Sequence, residues 1–227
     1  MSDRLLGKRV LVTQASDYMG PATVELFEAE GASVVADNQP LDDADTCREL
    51  VARSGRVDVL IANLASPNFS GTEVTALDDT DWHTPFSLLV DPLHFLTQAV
   101  LPQMIERGAG KIVVYGSATA LRGLKTVSAY SAARAAQVGY VQAVGVEVAP
   151  HNVQINLIAQ NYVENREYYP PELMQKESFV ASLKRQVPAG RLGTGFEDAA
   201  FALFLASDES GFFAGQAFPF AGGWVQR

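Results

Sequence analysis

The sequence predicts an α/β fold, a doubly wound parallel sheet with helices on both faces, in a single domain over residues 1–227. Three observations carry this. Short apolar runs alternate with longer amphipathic stretches, the rhythm of βαβ units. A chain of 227 residues with 48% hydrophobic content is large enough to bury one full core. No repeat, low-complexity tract or Pro/Gly-rich linker divides it.

The elements follow in order. Arg9-Val-Leu-Val-Thr13 reads as a buried first strand, and Ala22 to Glu30 as the helix after it. Ser33 to Ala36 and Val57 to Ala62 are the second and third strands. A long helical stretch runs from about Val90 to Arg107. Lys111 to Tyr115 is a strand, Ser128 to Ala149 a helix, and Gln154 to Ile158 a strand. Helical periodicity returns in Asp198 to Ser207, and Gln216 to Phe220 reads as the last strand. Two irregularities stand out. Ala159 to Glu172 is a tyrosine- and asparagine-rich loop directly after a strand, where open α/β sheets build ligand sites. Between Asp37 and Asp58 there are only twenty residues, enough for one helix but not for a helix, a strand and a second helix.

Composition excludes several functions. Seventeen Lys and Arg against 26 Asp and Glu give a net charge of −9, which leaves no basic footprint for nucleic acid or an anionic membrane surface. The lone Cys47 forms no intramolecular disulfide and supplies no zinc cluster. No apolar run approaches the ~20 residues of a bilayer span. Arg4, Lys8 and Arg9 surround only two leucines, unlike a signal peptide, so the expected location is cytoplasmic.

The chemistry gathers around Ser117, at the carboxyl edge of the Lys111–Tyr115 strand. Tyr130 follows thirteen positions later and Arg134 four after that, so the last two share a helix face. A guanidinium beside a phenol favours the phenolate; at about 4 Å and an effective dielectric of about 20 the attraction is at most about 4 kcal/mol. A serine hydroxyl is able to hold a substrate hydroxyl against such a base.

The surrounding segments resemble the short-chain dehydrogenase/reductase family over nearly the whole chain. Pro188-Ala-Gly-Arg-Leu-Gly193, Glu197-Asp198-Ala199, Phe204-Leu-Ala-Ser-Asp208, Gly215-Gln216 and Gly222-Gly223 look like that family's C-terminal third. The resemblance implies a Rossmann-like fold and an active site of Ser, then Tyr-x-x-x-Lys. Here the set is Ser117, then Tyr130-Ser-Ala-Ala-Arg134, with the lysine replaced. The family's cofactor turn, T-G-x-x-x-G-x-G, reads Thr13-Gln-Ala-Ser-Asp-Tyr-Met-Gly20, so only the last glycine remains. Gln160-Asn161 stands for the Pro-Gly that borders the nicotinamide, and Asn63-Leu64-Ala65 for N-A-G. The family's helix asparagine is absent from Leu88 to Phe95. Asp37 sits where a carboxylate would hold an NAD ribose, and reads as a vestige or a turn residue.

This combination resembles one branch, the halohydrin dehalogenases, marked by Ser-x12-Tyr-x3-Arg together with T-x4-(Phe or Tyr)-x-G. Ser117, Tyr130 and Arg134 match the first mark; Thr13, Tyr18 and Gly20 match the second. The resemblance implies a lyase without cofactor or metal that converts a vicinal haloalcohol to an epoxide, a halide and a proton. It also implies the reverse opening of epoxides by azide, cyanide or nitrite. Ser117 would hold the substrate oxygen, Tyr130 remove its proton, and Arg134 favour the phenolate. Gln160, Asn161, Tyr162 and Val163 would border the halide, with Tyr18 as the opposite wall. A homotetramer is implied, with interfaces on the helices near Val90–Arg107 and Ser128–Ala149. The rival readings are an NAD(P)-dependent short-chain reductase with an atypical turn, and a ligand-sensing relative without activity.

Other residues carry bland readings. His83, His94 and His151 lack metal-ligand spacing, and Cys47 belongs to the short helix of the gap. Asp17 and Asp58 serve a turn and a strand start. Trp82 and Phe86 line a cavity or pack; Trp224 packs at the surface or reaches a neighbouring subunit.

Overall fold

The apolar runs become the inner strands of one parallel sheet. A computed structural model describes residues 3–68 and 71–226. The strands are β1 (Arg9–Val12), β2 (Ser33–Ala36), β3 (Val59–Asn63), β4 (Gly110–Ser117), β5 (Val153–Gln160) and β6 (Ala217–Phe220). They lie in the order β2-β1-β3-β4-β5-β6, all parallel. β3 and β4 are buried along their whole length, as strands covered on both faces must be, whereas the edge strand β2 is partly exposed.

The helices are α1 (Gly20–Ala29), α2 (Ala44–Ser54), α3 (Asp79–Leu89), α4 (Asp91–Glu106), α5 (Ser128–Val148), α6 (Pro171–Met174), α7 (Glu177–Gln186) and α8 (Gly195–Ala206). On one face Cys47 and Leu50 of α2, Leu93 and Leu96 of α4, and Ala133 and Val141 of α5 pack with Leu60, Ile112 and Ile155 of the strands. On the other, Phe27 of α1 and Ala202 and Leu203 of α8 pack with Val10, Val59 and Val113. Each such fully buried large side chain contributes roughly 1.5–3 kcal/mol.

Element ends differ from the sequence expectation in instructive ways. The helix expected from about Val90 to Arg107 is α4, while the helix before it, α3, has no counterpart in the sequence reading. α3 starts where Asp78 accepts from the Asp81 amide at 2.8 Å and meets α4 at Val90, with Pro92 in the first turn of α4. α6 begins at Pro171, inside the loop expected over Ala159 to Glu172, and α7 follows it; neither is among the helices expected from the sequence. The short gap holds α2 alone, capped by Asp43 on Thr46 at 2.8 Å; no strand forms in residues 38–56. No helix among the described residues is long and apolar enough to cross a membrane.

The strand order reverses between β1 and β3, and the β1–α1 turn sits at that switch point. Gly20 makes the turn possible. A Cβ there would lie 2.4 Å from the Ala15 carbonyl oxygen, which is backbone and has no freedom to yield. Gly20→Ala should therefore destabilise the protein by about 1–3 kcal/mol in urea unfolding. Unchanged stability would show that the turn relaxes freely.

Candidate active site

α5 buries one stripe against the sheet: Tyr130, Ala133, Arg134, Gln137, Val141, Gly145 and Val148. This places Tyr130 and Arg134 one turn apart over the carboxyl ends of the strands. Arg134 is 6% exposed and is held by backbone. One guanidinium nitrogen donates to the Tyr115 carbonyl at 3.0 Å and to Gln137 Oε1 at 3.0 Å; the other donates to the Leu64 carbonyl at 3.1 Å. Gln137 is fixed in turn by donating to the Leu89 carbonyl at 2.8 Å. Arg134 Nε is buried without a hydrogen-bond partner. Among the described residues no carboxylate forms an ion pair with Arg134, so its charge is neutralised by none. The guanidinium carbon lies 5.0 Å from the centre of the Tyr130 ring, a cation–π distance.

Ser117 is the last residue of β4 rather than a residue beyond it, and its backbone is paired in register with Gln160, the last residue of β5. Its oxygen accepts from the Thr119 amide at 3.2 Å and lies 2.9 Å from the Thr119 hydroxyl. Thr119 thus orients the serine, a role that sequence spacing did not reveal.

Ser117, Tyr130, Arg134, Tyr18, Gln160, Asn161, Tyr162 and Val163 all line one cavity of about 310 Å³. That volume is at the small end of small-molecule sites. Tyr168 and Tyr169, from the loop that the sequence marked as a pocket wall, complete it. The rings of Tyr18 and Tyr168 meet at 5.5 Å, and burial raises the pKa of both phenols. Trp224 is buried, not on the surface: Arg122 lies 4.6 Å over its ring, and its edge meets Tyr162 at 6.2 Å. Trp82 and Phe86 pack on each other at 5.4 Å and do not line the cavity. His94 approaches the Tyr140 hydroxyl at 3.3 Å, and Cys47 is buried in α2. The described residues hold no cluster of three or more metal-ligating side chains.

The β1–α1 turn keeps a glycine-like path without the glycines. Gln14 and Tyr18 have φ of 45° and 49°, the left-handed region, where a non-glycine residue costs about 1–2 kcal/mol. A dinucleotide turn needs bare backbone with amides free for pyrophosphate. Here the Ala15 amide donates to the Asp37 carbonyl at 2.9 Å, Ser16 to Asn38 Oδ1 at 2.7 Å and Asp17 to the Gln14 carbonyl at 3.1 Å. Asn63 braces the turn by donating to the Gln14 and Asp17 carbonyls. Asp37, buried at the end of β2, is paired with Arg53 and accepts from the Gln39 amide at 3.1 Å. It is a turn brace. The residues of this turn do not fit a dinucleotide.

The family model described as enoyl-(acyl carrier protein) reductase matches residues 7–225. The chain belongs to the short-chain dehydrogenase/reductase superfamily. Within the superfamily, it is 30% identical to a 3-oxoacyl-(acyl-carrier-protein) reductase of Thermotoga maritima over 98% of this chain and 99% of the relative. It is 31% identical to a 2-keto-3-deoxy-L-fuconate dehydrogenase of Xanthomonas campestris pv. campestris, over 97% of this chain and 81% of the relative. Among solved structures it is similar to one described as a dehalogenation enzyme, with a TM-score of 0.89 and 31% identity, covering 97% of this chain and 99% of that one. A 3-oxoacyl (acyl-carrier-protein) reductase from Agrobacterium tumefaciens C58 with NADP bound aligns with a TM-score of 0.88 and 26% identity, over 97% and 95% of the two chains.

One buried acid lies behind the cavity. Asp198 of α8 is fully buried, and burial holds its pKa well above the usual carboxylate range. An acid whose folded value is raised contributes fully below its unfolded value of about 3.9, and that contribution is lost as pH rises through the folded value. Asp198→Asn does not titrate. Its melting temperature relative to the parent should therefore climb between pH 4 and pH 8. A difference that stays flat with pH would contradict a buried neutral acid.

Proposed function

We propose that this superfamily member is a cofactor-independent lyase that closes vicinal haloalcohols to epoxides, releasing halide and a proton. The observation that carries the reading is Arg134: a buried guanidinium without a carboxylate partner, fixed over the ring of Tyr130. Two further features support it. Side chains fill the β1–α1 turn, and a structure of similar fold and 31% identity is described as a dehalogenation enzyme.

In this mechanism the Ser117 hydroxyl holds the substrate hydroxyl, and the Tyr130 phenolate takes its proton. The resulting alkoxide attacks the neighbouring carbon of the same molecule. A C–O bond forms as the C–halogen bond breaks, and the electron pair leaves with the halide. The reaction is intramolecular, so proximity supplies much of the rate and no covalent enzyme intermediate is required. Gln160 to Val163 receive the halide, opposite Tyr18. Tyr130 then passes its proton to solvent. Run backwards, the same groups protonate an epoxide oxygen while a small anion such as azide, cyanide or nitrite attacks. The mature enzyme is a homotetramer in this reading.

A second reading, an NAD(P)-dependent short-chain reductase with an atypical turn, is favoured by the names of the curated relatives given above. The deciding experiment is bromide release from a simple bromoalcohol without added nucleotide, beside NADPH oxidation with a ketone panel. Bromide release is the expected result; NADPH oxidation without bromide release would establish the reductase. Tyr130→Phe should abolish release, and Ser117→Ala should lower it about 10²–10⁴-fold. Arg134→Lys should leave a folded protein of much lower activity, because a lysine lacks the planar fork that engages both carbonyls. Full activity in Tyr130→Phe would remove the mechanism; full activity in Arg134→Lys would remove the role of the arginine.

A further inference from the structure

Asp198 is a buried carboxyl group that its own helix does not need. The start of α8 is already satisfied, since Thr194 accepts from the Glu197 amide at 3.1 Å and Glu197 accepts from the Thr194 amide at 2.8 Å. Glu197 also takes the nearby cation, Arg191, at 2.6 Å. Among the described residues no cation pairs with Asp198. An acid buried in that way costs stability that an apolar residue would not.

Among the described residues its side chain makes one hydrogen bond, and that contact points to a use. Asp198 Oδ2 accepts from Gln160 Nε2 at 2.7 Å, while Oδ1 is buried without a partner. Gln160 ends β5, lies beside Ser117 in the sheet register and lines the cavity. Without Asp198 the Gln160 amide would be free to turn into that cavity. We propose that Asp198 is a positioning residue: it ties Gln160 to α8 and so fixes the strand end from which the anion-receiving segment, Gln160 to Val163, departs. The inference rests on the reading of that segment given above. Burial favours the protonated acid, so the group behind the segment carries no negative charge to repel an anion.

Bromide binding by calorimetry, with melting temperature as the fold control, tests this. Asp198→Ala should weaken bromide affinity about 5- to 30-fold, and Asp198→Asn, which keeps an acceptor for the Gln160 amide, should restore it to within about twofold. Gln160→Met should lose as much as Asp198→Ala, and the double variant no more than either, because the two act as one unit. If Asp198→Ala does not fold, Gln160→Met and Asp198→Asn carry the test between them. A folded Asp198→Ala or Gln160→Met with parental bromide affinity would overturn the proposal, as would a loss in Asp198→Asn equal to that in Gln160→Met. Absence of bromide binding in the parent would overturn the lyase reading first, and this inference with it.

Discussion

The site depends on how one guanidinium is held. Arg134 donates to the carbonyls of Tyr115, in β4, and Leu64, just after β3, and so ties α5 to the carboxyl ends of two neighbouring strands. Backbone carbonyls accept from both terminal guanidinium nitrogens without neutralising the charge, which a carboxylate would do. The charge is left to act on the Tyr130 ring above it. A lysine has no planar fork to span both carbonyls, and buried it readily loses its proton. The same contact sets the position of Tyr130 relative to Ser117, because α5 has little freedom to shift once the fork is engaged.

A second constraint is the β1–α1 turn. Gln14 and Tyr18 hold left-handed conformations that glycine adopts without penalty, and the Tyr18 side chain lines the cavity. The strain persists because Asn63, Asn38 and the Asp37 carbonyl brace the turn from two strand ends, those of β3 and β2. Gly20 alone keeps its glycine, for a reason unrelated to any ligand: the Ala15 carbonyl leaves no room for a Cβ. The turn thus retains the architecture of the superfamily while presenting an aromatic wall.

Much of this was legible in the sequence, for identifiable reasons. Strands buried on both faces are continuous apolar runs, so β1, β3, β4 and β5 could be read within two residues of their ends. Ser117, Tyr130 and Arg134 follow from strand-end and helical spacing, which local geometry fixes. What the sequence does not disclose is chiefly nonlocal. α3 meets α4 at Val90, which carries no side-chain cap, and only Pro92 marks the joint. Asp198 meets Gln160 across 38 positions of sequence, Arg122 meets Trp224 across 102, and no spacing rule connects either pair. Thr119 was invisible because its part is to orient a neighbour two residues away.

The central claim is that side chains, not a nucleotide, complete this site. Thermal unfolding against NADPH concentration tests it most directly. A ligand that binds the folded state at 100 times its dissociation constant adds about 2.7 kcal/mol of stability, an unmistakable rise in melting temperature. The account predicts a melting temperature that does not respond to NADPH or NADH at any concentration. A rise that saturates with nucleotide would contradict it.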